Sequence, residues 1–477
     1  MGTEVETKAV DQRTLSRRSL LRSAAFLGGA TLLAACQPPV GPGGTGSAPA
    51  GEGGDTGATT GEAITLRVWG YGLDDARARA RLSVFQEQHP NVTVEPVGGE
   101  LNTQQLLTAV ASGDPPEIVN VNRSETGSWA GRGAIQALDD LIARDNFDLE
   151  QFYPVLIQQV TFNGQIYGVP QFVNLDLFFM NGDVLAEAGI DPASVDPGNW
   201  EQLTELGEQL HQMEGNRVVR TGFDTKVQDG RLWLWSWANG VEPINAEGTQ
   251  ANFTDPGVIE ALAWAKETVD RQGGELARAA FQQSQNFFSP QNPVLIGQIA
   301  MTIFEQWLIG VMKVDPEANF VTMLPRMRNS EENLTDATGS AFAMPRGVDG
   351  AARDTGWAFI QGMTSSEAWL AGEEATKAAN EAEGVPYHPT ISSNVAADEE
   401  AWNNIYEGIS ASYDQTVALF PQALAVARFR YSGPVAATIQ EAMTANVNDA
   451  LQGVKTPEEA MAALQETAQQ AIDEFQP

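Results

Sequence analysis

The sequence predicts an α/β protein. Three observations carry that prediction: an alternating apolar run from Ile64, an amphipathic stretch with a second alternating run behind it, and helix-capping chemistry further down the chain. Ile64, Leu66 and Val68 alternate with Thr65, Arg67 and Trp69, the period of a strand with one face more buried. Asp75 to Gln88 then places Leu82 and Phe85 on one helical face, and Val92-Thr93-Val94 follows the Pro90-Asn91 turn as the next strand. A strand, helix and strand at this spacing make a parallel pair. Leu106 to Ala111 reads as a short helix and Glu117 to Val121 as a third, buried strand. Later segments are predicted mostly helical. Asp255 before Pro256 is an N-cap acid ahead of a first-turn proline, with the helix running to Gly273-Gly274. Thr364 with Glu367, and Thr456 with Glu459, have capping-box spacing.

The N-terminus has a different character. Ser16 to Pro39 reads SRRSLLRSAAFLGGATLLAACQPP. Its apolar run, Ala24 to Ala35, is shorter than the roughly 20 residues a bilayer-spanning helix needs, so it reads as the hydrophobic region of a signal peptide. Arg17 and Arg18 resemble a twin-arginine export signal. Leu33-Ala34-Ala35-Cys36 resembles a lipobox, at which bacterial lipoproteins are cut and the new N-terminal cysteine is lipidated. The expectation is a signal peptide over 1–35 and a lipid on Cys36 that anchors the protein outside the cytoplasm to the bacterial cell membrane. Residues 36–61, rich in Pro, Gly, Ser, Thr and Ala, are expected to form a disordered tether, because they lack the large apolar side chains whose burial offsets the entropy of ordering.

Composition narrows the function. The chain has 477 residues, 28 Lys plus Arg and 62 Asp plus Glu, a net charge of −34. Such a surface repels nucleic acid and anionic lipid, so neither is an expected partner of the body. Cys36 is the single cysteine, which leaves no disulfide and no thiolate metal site. His89, His211 and His388 are too scattered for a histidine metal motif, and no HExxH, GxSxG or Walker sequence occurs. No metal, cofactor or catalytic residue is expected. Paired acids such as Asp139-Asp140 and Glu399-Glu400 read as solvated neighbours in so acidic a chain.

Several longer stretches, in order, carry a family resemblance: ASGDPPEIVNVN, GQIYGVPQFVNLDLFFMNGDVLAEAGI, GQIAMTIFEQW, LPRMRNSEENLTDATGSAFAMPRG and ALQGVKTPEEAMAALQ. Their order and spacing resemble the extracellular solute-binding proteins of ABC transporters, of the maltose-binding type, over about residues 62 to 475. The resemblance implies a type II, two-lobe periplasmic-binding-protein fold, each lobe a mixed sheet flanked by helices, closing over a ligand. Mapped onto this chain, the first lobe takes 62–175 and returns for about 340–390. The second takes 176–339 with the C-terminal helices 391–477. A monomer that delivers its ligand to permease subunits is implied, and no enzymatic activity.

Sugars stack their apolar faces on aromatic rings while their hydroxyls meet amides, carboxylates and guanidinium groups. Trp307, in AMTIFEQW, resembles the sugar-stacking tryptophan of maltose-binding proteins, and Glu305 in the same turn would accept hydroxyl hydrogen bonds. Tyr71 and Asp74 follow the first strand, and Asn122 and Arg123 the third, at ends that face the cleft in this family. Gln171 and Asn174 align with a hinge-proximal position that is acidic in maltose-binding proteins, an acid-to-amide change that points away from maltose itself. Trp233, in LWLWSWANG, and Gly339, in the ATGSAF stretch, complete the expected ligand-binding set, although core packing is the stronger reading of the tryptophan run. Trp200 reads as a helix-start packing residue. A polyamine or other small solute remains an alternative ligand, and an exported glycoside hydrolase an alternative class. The hydrolase would need two carboxylates positioned about 5 to 10 Å apart, which no local motif supplies.

Overall fold

The computed structural model describes residues 63–99 and 101–475. The expected signal peptide, Cys36 and the tether lie outside the described residues. Within them the strands are β1 (Ile64–Trp69), β2 (Val92–Val97), β3 (Ile118–Asn122), β4 (Thr161–Phe162), β5 (Gln165–Ile166), β6 (Val169–Asn181), β7 (Gln212–Glu214), β8 (Arg217–Asp224), β9 (Ile299–Glu305), β10 (Phe320–Met323), β11 (Thr335–Ala343) and β12 (Ala427–Arg428). One mixed sheet runs β2-β1-β3-β11-β6-β9-β8-β7, with β10 added on β6 and β12 on β11. β4 and β5 form a separate hairpin.

The predicted opening is present. β1 and β2 pair in parallel, Ile64 beside Val92 and Leu66 beside Val94, and Asp75 caps the helix Ala76–Gln88 by accepting from the Ala78 amide. That helix and Gly350–Thr364 bury Phe85, Trp357 and Phe359 against Leu66, Val68 and Phe342, giving the first half of the sheet its core. The second half, around β8, β9 and the end of β6, packs on a larger core built from Phe178, Phe223, Trp200, Trp235 and Trp264. The result is a two-lobe α/β fold. The lobes are joined by the long strands β6 and β11. β6 pairs with β11 as far as Leu175 and with β9 from Asp176 onward, so a single strand serves both halves.

Two sequence expectations change. The region predicted mostly helical contains β8 to β11, because a central strand buried on both faces loses the alternation that betrays an edge strand. The capping box on Thr364 is displaced by one residue. Ser365, in an extended conformation between two helices, accepts from the Ala368 amide, while the Thr364 hydroxyl donates back to the Ile360 carbonyl. Thr456, Pro457 and Glu459 form the predicted box with both hydrogen bonds made. Among the described residues no helix is long and apolar enough to cross a membrane.

Candidate functional site

Strand alternation builds the site. On β6, Asn174 and Asp176 point to one face, while Val173, Leu175 and Leu177 enter the core on the other. The register sets Thr338 of β11 opposite Asn174 and Glu305 of β9 opposite Asp176. Asp336, two residues before Thr338, shares that polar face. Five polar residues therefore converge where β6 exchanges one neighbour for the other.

Glu305 is the centre of the patch. One carboxylate oxygen accepts from the indole Nε1 of Trp307 at 2.5 Å and from the Asn174 amide at 3.4 Å, and the other accepts from the Thr338 hydroxyl at 2.7 Å. Its side chain stays 19% exposed, so the residue is not sealed inside the protein. Arg231, at the start of the helix Leu232–Ala238, grips Asp176 with two hydrogen bonds at 3.0 and 2.8 Å and lies 3.8 Å from Glu305. Arg430 pairs with the fully buried Asp336 at 2.6 Å. Three carboxylates against two guanidinium groups leave a formal charge of −1. Burial pushes Asp336 up to about 6, and the nearby Asp176 carboxylate adds to that, while Arg430 works against it. Burial opposes the charge on Arg231 too, but Asp176, Glu305 and Asp336 together hold its pKa above the ordinary arginine value.

Trp307 is the aromatic wall of this patch. It precedes the short helix Leu308–Met312, is half-buried, and stacks face to face with Phe288 at 5.1 Å and 5°. Asn122 and Asp74 are exposed at the ends of β3 and β1. Asn122 accepts from the Ser124 amide and hydroxyl, and no hydrogen bond among the described residues joins either to the patch.

The other expected ligand contacts lie inside the protein and are engaged by it. Tyr71 is 6% exposed, donates to the Ala78 carbonyl and packs edge-on against Phe342. Trp233 is buried between Trp237 and Phe253 on the helix whose apolar sequence suggested core packing. Gln171 accepts from Arg81 and donates to Asn120 and Ser340, which uses its amide fully inside the protein. Arg123 is 0% exposed and donates to the Gln159 side chain and to the carbonyls of Phe172, Thr338 and Ser340. With no carboxylate beside it, burial pulls its pKa down to about 9, so it is still a cation at neutral pH. Gly339 explains itself through Arg123. Its φ is +127°, and a Cβ there would clash with the Phe172 carbonyl oxygen and stand 2.8 Å from the Arg123 guanidinium, so the glycine makes room for the clamp and the carbonyl it holds.

Sequence reasoning missed Arg231, Asp176, Asp336, Thr338 and Arg430. The alternation Asn174-Leu175-Asp176-Leu177 was a readable signal for one of them. A separate cavity of about 870 Å3, walled in part by Trp237, Glu242, Phe429 and Tyr431, includes none of these residues. The patch has the amide, carboxylate and aromatic chemistry expected of a sugar site; among the described residues no cluster of three His, Cys, Asp or Glu is arranged to hold a metal.

Comparison with known proteins gives the same architecture. The chain is 22% identical over 293 residues to the lactose-binding protein of Rhizobium radiobacter, covering 60% of this chain and 65% of that one. It spans less than two thirds of the length of the curated relatives it matches. Among solved structures, CpMnBP1 with mannobiose bound superposes with a TM-score of 0.70 at 20% identity, covering 85% of this chain and 100% of that one. The ABC substrate-binding protein Lmo0181 from Listeria monocytogenes, in complex with cycloalternan, gives 0.71 at 17% identity over 86% and 100%. At such identities these likenesses establish the fold. Residues 71–377, more than half of the chain, match the bacterial extracellular solute-binding proteins, and the chain belongs to that family.

Proposed function

We propose that this protein captures a sugar or oligosaccharide between its lobes and delivers it to an ABC importer. The observation that carries the reading is the arrangement around Glu305: a part-exposed acidic side chain, an amide and a hydroxyl beside the half-buried ring of Trp307. Planar polar groups next to an aromatic ring match the two surfaces of a pyranose, hydroxyl edge and apolar face. The relatives support the same class, since those named above are described with lactose, mannobiose or cycloalternan. The polyamine alternative is weaker, because Arg231 and Arg430 already neutralise most of the carboxylate charge in the patch.

The lobes are taken as 62–175 with 340–390, and 176–339 with 391–477. The anchor belongs to the same reading: a twin-arginine signal exports the chain and a lipid on Cys36 keeps it at the membrane. Cys36→Ala should release the protein while leaving the thermal stability of the body unchanged; retention after a salt wash would refute the anchor. The ligand class is tested by thermal shift against a panel of oligosaccharides, monosaccharides and polyamines. A true ligand at a hundredfold excess over its dissociation constant stabilises by about 2.7 kcal/mol. A shift with polyamines and none with sugars would overturn the reading.

A further inference from the structure

One face of Trp307 is already taken, and Phe304 packs against the same ring at 5.2 Å and 72°. Phe288 lies parallel to the indole, 5.1 Å between centroids and 5° between planes, yet Phe288 is itself 77% exposed. No sugar ring fits between them, since two carbon contacts of about 3.5 to 4 Å each would need the rings held roughly 7 Å or more apart. The neighbouring residue is held quite differently. Phe287 is half-buried and stacks on Phe304 at 4.9 Å and 8°, with the Lys226 ammonium 4.6 Å from its ring, and its carbonyl accepts from the buried Asn292 amide at 2.8 Å. Adjacent residues thus form a fixed pin and a loosely held ring. Around Phe288 the remaining bonds are short-range loop contacts, its own amide to Asn286 and the Ser289 hydroxyl to the Asn286 carbonyl.

We propose that Phe288 sets ligand affinity by occupying the Trp307 platform in the ligand-free protein, so that a sugar ring stacks there only after displacing it. The proposal rests on the sugar reading of the patch. Phe287 stays pinned on Phe304, and Phe288 swings away about its own side-chain torsions. The binding-competent fraction is then reduced by the stability of the aromatic pair, and the apparent dissociation constant rises by the same factor. For a pair of this kind the factor is about two- to tenfold.

The test uses the full folded body and two readouts. In calorimetric titrations with lactose, mannobiose and maltotriose, Phe288→Ala should bind whichever of these the wild type binds about two- to tenfold more tightly. The gain should vanish in a Trp307→Ala background. Independently, in protein labelled with 5-fluorotryptophan, the Trp307 resonance, assigned by its loss in Trp307→Phe, should shift in Phe288→Ala without ligand. Adding ligand to the wild type should also perturb it. Unchanged or weaker binding by Phe288→Ala, or a Trp307 resonance indifferent to that substitution, overturns the role of Phe288 and leaves the sugar site standing. Binding of none of these or any wider panel of sugars by either protein removes the sugar reading and the displacement with it.

Discussion

Two groups of tryptophans in this molecule look alike in sequence and differ in what surrounds them. Trp200 and Trp264 stack at 4.3 Å, Trp235 stands edge-on to both, and the indoles of Trp235 and Trp264 donate to the carbonyls of Thr225 and Trp200. These rings are buried, with protein on every side. Trp307 donates to the part-exposed Glu305 side chain and is covered on one face by a ring that is itself mostly exposed. A tryptophan's role depends on what surrounds it, and Trp307 is stacked on a ring that is itself 77% exposed.

Truncating one ring of the closed group should have the largest effect. Trp235→Ala should cost about 3 to 5 kcal/mol of folding stability, measured by denaturant unfolding. Any molecules that stay folded should bind ligand with wild-type affinity. A mutant that keeps its stability but loses binding would move that cluster into the site. Next, Glu305→Gln should weaken ligand binding by roughly ten- to a hundredfold, the scale of a hydrogen bond to a charged acceptor. Its melting temperature should stay near wild type, because Arg231 keeps both bonds to Asp176.

Carboxylates divide as the tryptophans do, and pH exposes the division. Asp398 is buried, accepts from the Tyr153 hydroxyl and the Ser392 amide, and is pushed up to about 8 by desolvation. An acid whose folded pKa exceeds its unfolded value of about 4 retains its proton in the folded state alone between those limits, so stability falls as pH rises through that window. Desolvation, with Arg77 and Lys313 nearby, lowers His388 to about 3, which produces the opposite slope below its unfolded value of about 6.5. Between about pH 6.5 and 8 the Asp398 effect stands alone. Unfolding free energy should drop there by about 2 kcal/mol, and Asp398→Asn should flatten the slope. A slope unchanged in that variant would place the titrating group elsewhere. At the small end, Arg217→Ala, which removes an exposed ion pair with Glu214, should change stability by no more than about 0.5 kcal/mol.

The sequence was most legible where local chemistry decides the structure. Asp75 capping its helix, the parallel β1–β2 pair and the Thr456 box all depend on residues within a few positions of one another or on simple alternation. The candidate site was legible in part. Trp307, Glu305 and Asn174 were expected, and they meet, although Asn174 and Glu305 are 131 residues apart. What escaped depended on register. The sequence points to Gly339, while Thr338 beside it faces the patch, and a one-residue step along a strand exchanges one face for the other. Arg123 was expected to contact ligand because it follows a strand, and Gln171 because it aligns with a hinge-proximal position of the resembled family; only the packed lobe reveals that Arg123 donates to the Gln159 side chain and to backbone carbonyls, and Gln171 to Asn120 and Ser340. Arg231 and Arg430 are ordinary surface-type residues until the fold brings Asp176 and Asp336 beneath them.

The proposed site stands on the Trp307 ring and the Glu305 carboxylate holding a sugar together. The most direct test is calorimetric titration of Trp307→Ala against the ligand found by thermal shift, with denaturant unfolding of the same sample. Loss of a stacked ring should weaken binding by about ten- to a hundredfold, on the order of 1 to 3 kcal/mol. Folding stability should change by much less, because a half-buried ring leaves little cavity behind. Undiminished affinity in a well-folded Trp307→Ala protein would take the ring out of the site, as would a loss of stability large enough to make weaker binding a consequence of unfolding.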